Sequence, residues 1–166
     1  MFRRRAAGGP HSPVDVYVCL RTAAFDITQD AVGKGSSERA DVLGAVVDIP
    51  SQGGTASIVA MADGTTSMYT STGGGTIGAG SHDSVARANH ALLAALQRRI
   101  EMFPADERAD LPPADLVQIT LITPAGRRRA SVPTAAFWGE EPSTVVELIS
   151  AVHELTSAIR RIEPAG

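Results

Sequence analysis

The chain has 166 residues, the size of one ordinary domain, and an apolar fraction of 43%, which is too high for a disordered protein. Its formal net charge of −3 argues against a nucleic-acid-binding protein, which usually has a basic balance. No apolar run approaches the roughly 20 residues that span a bilayer. No apolar stretch follows the basic residues 1–5, so a secretory signal is not expected. We therefore expect a cytoplasmic protein without membrane association.

The amino-terminal part predicts an arm followed by a helix. Residues 1–12 are rich in Arg, Gly and Pro and are expected to form a loose arm before a single domain at 13–163. Ser12 can cap a helix that starts at Pro13, with Asp15 in its first turn. A strand is the alternative, because residues 16–19 are typical of β structure, but the start signal favours the helix. Cys19, the single cysteine, is expected to be a buried small side chain.

The next segment predicts three consecutive strands. Residues 42–49, 55–62 and 65–70 are apolar or alternate in polarity, as strands do. The Asp63–Gly64 pair between the second and third runs is a strong hairpin signal, because glycine tolerates a positive φ. Short connections make the three strands an antiparallel meander.

The second half predicts two amphipathic helices around a hairpin. A glycine-rich link leads to Ser81, the expected N-cap of a helix that ends before Pro104. Strands at 116–123 and 127–132 follow, and then an irregular stretch that contains Trp138. Pro142 is expected to open the last helix, with Glu140 and Glu141 favouring its amino-terminal end. The order α-β-β-β-α-β-β-α predicts the α+β class, with helices packed on one antiparallel sheet of about five strands.

The glycine-rich link is the candidate ligand site. Gly73, Gly75 and Gly78 match the spacing of a dinucleotide-binding loop, but the antiparallel surroundings and the late helix start do not suit that motif. One interpretation is a tightly bent connection. The other is a small anionic-ligand or nucleotide site that uses backbone amides near Gly78, Gly80 and Ser81.

No residue pattern predicts catalysis, a metal site or a cofactor. Ser81, His82 and Asp83 are adjacent, and adjacent helical residues do not face each other. Helix capping accounts for Ser81 and Asp83. The four histidines and one cysteine lack the spacing of zinc ligands. We therefore expect a non-catalytic protein.

The candidate partner-binding residues are Arg127, Arg129 and Trp138. The first two belong to a run of three arginines on a predicted strand, where alternate side chains point to opposite faces. These arginines could contact an acidic partner. The alternative is a solvated edge strand whose charges prevent pairing with other sheets.

Residues 58–64, 91–96 and 117–121 carry a resemblance to the roadblock/dynein light-chain family over about residues 55–162. The element order is also similar to that of type III secretion chaperones. Residues 63–75 resemble a stretch of an uncharacterised bacterial protein family, and the scarcity of lysine suggests a bacterial source. Roadblock-type proteins act as scaffolds or regulators of small GTPases, and the chaperones hold unfolded effector segments. The resemblances imply a homodimeric, non-catalytic interaction module with a protein partner.

Overall fold

The computed structural model describes residues 12–27 and 41–162. Within these residues the chain forms four helices and six strands, which confirms the α+β class. The helices are α1 (Pro13–Phe25), α2 (Asp83–Arg98), α3 (Thr134–Phe137) and α4 (Val146–Ile162), and 3₁₀ turns span Ala79–Ser81 and Ile100–Met102. The strands are β1 (Gly44–Ser51), β2 (Gly54–Met61), β3 (Thr66–Thr70), β4 (Gly75–Thr76), β5 (Leu116–Thr123) and β6 (Gly126–Pro133).

The strands form one antiparallel sheet in the order β4-β3-β2-β1-β5-β6. β1 pairs with β2 and β5, so that Asp48 lies opposite Ser57 on one side and Gln118 on the other. The predicted hairpin at Asp63–Gly64 joins β2 to β3, and Gly64 has a φ of 92°. The sixth strand, β4, was not predicted, because only two residues within the glycine-rich link pair with β3.

Helix α1 begins where the sequence predicts, and its helical structure is confirmed over the strand alternative. The Ser12 hydroxyl accepts a hydrogen bond from the Asp15 amide, and the Asp15 carboxylate accepts one from the Ser12 amide. This reciprocal capping satisfies two backbone donors that the helix itself cannot. Residues 1–11 of the arm predicted at 1–12 lie outside the described residues, and so do residues 28–40 and 163–166.

Helix α2 is shorter than predicted at both ends. Its N-cap is His82 rather than Ser81, and no side chain caps it. The Ser81 hydroxyl is instead bonded within the preceding 3₁₀ turn. The α-helix ends at Arg98, because the amides of Met102 and Phe103 bond to carbonyls three residues back, as in a 3₁₀ turn.

The stretch between β6 and α4 is not irregular throughout, as the sequence suggested. Residues 134–137 are helical, and the Trp138 amide donates to the Thr134 carbonyl at 3.0 Å. The last helix begins at Val146 rather than Pro142. The Ser143 hydroxyl accepts a hydrogen bond from the Val145 amide, which forms a turn immediately before the helix.

The two faces of the sheet differ in chemistry. One face packs against α2, α3 and α4 and forms the main apolar core, which includes Val47, Ile58, Leu92, Ile119 and Leu155. The other face packs against α1 and combines a small apolar cluster around Val46 and Met61 with buried polar side chains. The alternation of side chains along β1 produces both faces from one strand.

Candidate functional site

Trp138 is an exposed aromatic side chain held in a defined position at the end of α3. It is 52% exposed, and its ring packs edge-on against Phe137, with ring centroids 5.0 Å apart. His153 of α4 packs against both rings, and its Nε2 donates to the Phe137 carbonyl at 2.9 Å. His153 is therefore half-buried. A cleft of about 320 Å³ lies beside Trp138 and includes Val146, which is also exposed.

Residues 104–106 cover the first half of the outer edge of β6. The Arg129 amide donates to the Pro104 carbonyl at 2.9 Å, and the Asp106 amide donates to the Arg127 carbonyl at 3.0 Å. Backbone groups of an antiparallel strand point alternately toward its two neighbours. Arg127 and Arg129 therefore direct their backbone groups outward, and so does Ser131, two residues further along the strand.

No segment that the structure describes pairs with the second half of this edge. Among the residues that the structure describes, none forms a hydrogen bond with the outward amide and carbonyl of Ser131, whose side chain is exposed. Pro133 has no amide hydrogen and limits the open stretch at its far end. An unpaired strand edge is a template on which a further strand can form.

An apolar cavity of about 340 Å³ lies directly inside this open edge. Ala130 and Val132 of β6 line one side of it, and Pro142 lies between it and the cleft beside Trp138. The rest of its apolar lining comes mainly from the second 3₁₀ turn and the start of α4: Met102, Phe103, Val145 and Leu148. We call the open edge at Ser131 and this cavity the edge site.

One acidic side chain, Glu141, lines the edge site. Three more exposed acidic residues lie close to its lining, either one position earlier in the chain or through the hydrogen bond from the Thr134 amide to the Asp115 carbonyl: Glu101, Glu140 and Asp115. None of the four forms an ion pair within the described residues, and the Arg99 guanidinium lies 4.0 Å from the Sδ of Met102. The Arg128 guanidinium donates to the Phe103 carbonyl at 2.6 Å and is half-buried. Glu140 and Glu141 lie before the first turn of α4, so they do not serve its amino-terminal end as expected.

A second concave surface, the helix groove, lies between α2 and α4 and has a volume of about 600 Å³. Its walls carry small side chains at Ser84, Ala88, Ala91, Ser157 and Ala158. Three charged side chains line it, and none of them has an ion-pair partner in the described part of the chain: Arg87, Glu154 and Arg161.

The structure places the predicted partner-binding arginines inside the fold. Arg129 is buried and forms ion pairs with Asp106 and Asp110, both at 3.2 Å. Arg127 pairs with Glu107, and its guanidinium lies 5.1 Å from the centre of a phenylalanine ring of α1. β6 is an edge strand, as the alternative interpretation expected, but these two arginines are not solvated, because they fasten the loop before β5 to the sheet. They do not lie with Trp138 in one surface.

The glycine-rich segment is shaped by backbone packing. The candidate ligand residues there are Gly73, Gly75, Gly78, Gly80 and Ser81. A Cβ atom on Gly80 would overlap the carbonyl oxygen of Gly64, and one on Gly75 would overlap that of Met68. Gly78 has a φ of 73°, and its amide donates to the Ser67 hydroxyl at 3.4 Å. Close approach and left-handed turns thus account for these glycines, and anion binding at this segment stays a prediction.

A polar network lies buried between α1 and the sheet. Asp48 accepts hydrogen bonds from Arg21 at 3.0 and 2.7 Å and from the Ser57 hydroxyl at 2.5 Å. The Tyr17 hydroxyl lies 2.7 Å from that of Ser57. Burial raises the pKa of both Tyr17 and Tyr69. Asp48 and Ser57 have no exposed surface, so this hydroxyl–carboxylate contact fastens α1 and does not reach solvent.

Several of these features have only a faint signal in the sequence. Asp48 is the one charged residue in an otherwise apolar run, which could have indicated a buried partner such as Arg21. Cys19 is exposed, contrary to expectation, because α1 presents only one side to the sheet. Nothing local distinguishes Ser131 as the open position of an edge strand.

Comparison of the chain with models of protein families, with curated proteins and with solved structures finds no match. No helix in the described ranges combines the length and the apolar character needed to cross a membrane.

Proposed function

We propose that this chain is a non-catalytic protein-interaction module, that it works as a homodimer, and that it binds an extended segment of a bacterial protein at the edge site. The observation that carries the proposal is the outward amide and carbonyl of Ser131, which have no hydrogen-bond partner among the described residues, beside an apolar cavity of about 340 Å³. A strand added there would bond to the Ser131 amide and carbonyl. Its inward side chain would enter the cavity and anchor the segment.

The charge around the edge site favours a basic segment. Glu141 lines the cavity and has no ion-pair partner among the described residues, and Glu101 and Glu140 directly precede lining residues in the chain, so these carboxylates would lie near the residues that flank the anchor. Lysine or arginine at those flanking positions would be complementary to them. Trp138 lies beyond Pro142 and extends the apolar surface, and tryptophan is enriched among residues that dominate binding energy.

Pairing with a second copy of the chain fits this edge poorly. Two-fold pairing of β6 with β6 of a second copy around Ser131 would place the second copy's Pro133 opposite Arg129, where the chain at Pro104 already lies.

The test is selection of peptides from a random display library on the folded protein, followed by affinity measurement on the enriched peptides. We expect a consensus with one large apolar residue flanked by Lys or Arg. Trp138 is the only tryptophan, so its fluorescence reports binding next to it.

The decisive variants are Ser131→Pro and its matched control Ser131→Ala. Both variants remove the exposed hydroxyl, but only the first also removes the outward amide hydrogen. We expect Ser131→Pro to weaken binding about tenfold, the loss of a hydrogen bond worth about 1.4 kcal/mol. We expect Ser131→Ala to bind like the unmodified chain. Equal affinity of both variants for the enriched peptides would show that the open edge is not used.

A further inference from the structure

The helix groove carries charges of both signs that a small ion would not satisfy. Arg87 and Arg161 could attract an anion, but Glu154 lies in the same groove and would repel it. A surface with both signs is better matched by another surface of opposite pattern. The groove is therefore better suited to a protein surface than to a free anion.

The spacing of these charges on α4 is self-complementary. Glu154 and Arg161 are seven residues apart, so they lie two turns apart on one side of the helix. A two-fold axis midway between them passes beside Ser157 and Ala158. An antiparallel α4 of a second copy would then place each Glu154 opposite Arg161 of the other copy.

The shape of the groove permits this contact. The position on the axis is occupied by Ser157, which is exposed, and by Ala158, and both side chains are small. Ser84, Ala88 and Ala91 on α2 leave room beside it for the second helix. Small side chains let two helices approach to the 8–10 Å, roughly, that close packing requires.

We infer that the groove between α2 and α4 is the homodimer interface, with a second copy docked across a two-fold axis at Ser157 and each Glu154 paired with Arg161 of the other copy. This inference rests on the homodimer part of the proposed function and gives it a surface. It uses the carboxy-terminal half of α4, whereas the edge site lies at the other end of that helix.

The experiment is sedimentation equilibrium of the full chain with three variants: Glu154→Arg, Arg161→Glu and the double charge swap. In a two-fold contact each single reversal creates like-charge pairs twice. We expect each to raise the dimer dissociation constant about tenfold or more at low salt, and the double swap to restore most of the affinity. Raising the salt concentration should weaken the unmodified dimer.

Arg160→Glu is the matched control. Arg160 is exposed in the same last turn of α4, and its reversal changes the net charge equally, but it does not line the groove. We expect it to leave the dissociation constant within about twofold, on the scale of an isolated surface charge. Circular dichroism confirms that each variant is folded.

The inference would be overturned if the unmodified chain is monomeric at about 200 µM, a concentration on the order of the dissociation constant of a weak dimer. An equal effect of Arg160→Glu and Arg161→Glu on the dissociation constant would also overturn it. A double swap that stays as weak as the single variants would overturn the Glu154–Arg161 pairing. Peptide binding at the edge site is measured separately on the same variants. A monomer that still binds the selected peptides would refute the dimer and leave the peptide-binding proposal standing.

Discussion

Replacing Arg21 by methionine tests how α1 is fastened to the sheet. The Arg21 guanidinium donates two hydrogen bonds to Asp48 and further bonds to the carbonyls of Ala109 and Asp110. Its side chain is 7% exposed, and that of Asp48 is not exposed at all. Methionine keeps much of the apolar chain but leaves the Asp48 carboxylate with the Ser57 hydroxyl alone.

The expected cost follows from the buried position of the pair. Removal of one member of a buried ion pair costs about 3–5 kcal/mol, because the remaining charge is uncompensated. That is a large share of the roughly 5–15 kcal/mol that stabilises a typical domain. With a urea dependence of about 2 kcal/mol per molar, the unfolding midpoint should fall by about 2 M. Urea unfolding followed by far-ultraviolet circular dichroism measures this.

Arg98→Met is the matched control, because Arg98 pairs with Glu147 where the two side chains are 58% and 45% exposed. An exposed pair contributes at most about 1 kcal/mol, so this variant should unfold near the normal midpoint. Arg21→Met with Asp48→Leu should recover part of the loss, since no lone charge stays buried. If Arg21→Met and Arg98→Met unfold at the same urea concentration, the argument from burial is refuted.

Three further outcomes are expected. The raised pKa of Tyr69 means that above about pH 10 the folded chain keeps a proton that the unfolded chain loses, so the free energy of unfolding should fall as pH rises there. Urea unfolding should show a smaller fall for Tyr69→Phe. An unchanged slope of the free energy of unfolding against pH would contradict this prediction. Gly80→Ala should destabilise the fold by about 1–3 kcal/mol, because its Cβ would overlap the Gly64 carbonyl. Gly78→Asn is the control, because it lies in open space at a φ that asparagine tolerates, and it should cost less than about 1 kcal/mol. Equal melting temperatures of the two variants would argue against this packing. Ser12→Ala should weaken the start of α1 by about 1 kcal/mol, seen as faster hydrogen exchange in its first turns, while unchanged exchange would show that the cap is not needed.

The elements that the sequence predicted correctly depend on neighbours along the chain. The cap at Ser12 is a contact between residues three apart, and the turn at Asp63–Gly64 requires only a glycine with a positive φ. The apolar stripes of α2 and α4 follow from helical periodicity. Element boundaries were less accurate, because the Ser143 turn and the 3₁₀ turn after α2 compete with the helix over one or two hydrogen bonds.

The candidate surfaces depend on contacts between segments far apart in the chain. Ser131 lies at an open edge only because residues 104–106 cover the first half of β6 and stop there. Arg129 is buried because the same loop supplies Asp106 and Asp110. Glu154 and Arg161 face a groove only because α4 packs beside α2. The sequence alone determined the three long helices, the hairpins and the class of fold. The pairing of β1 with β5 and the packing of helices on the sheet decided which groups face solvent, because periodicity specifies a face but not what covers it.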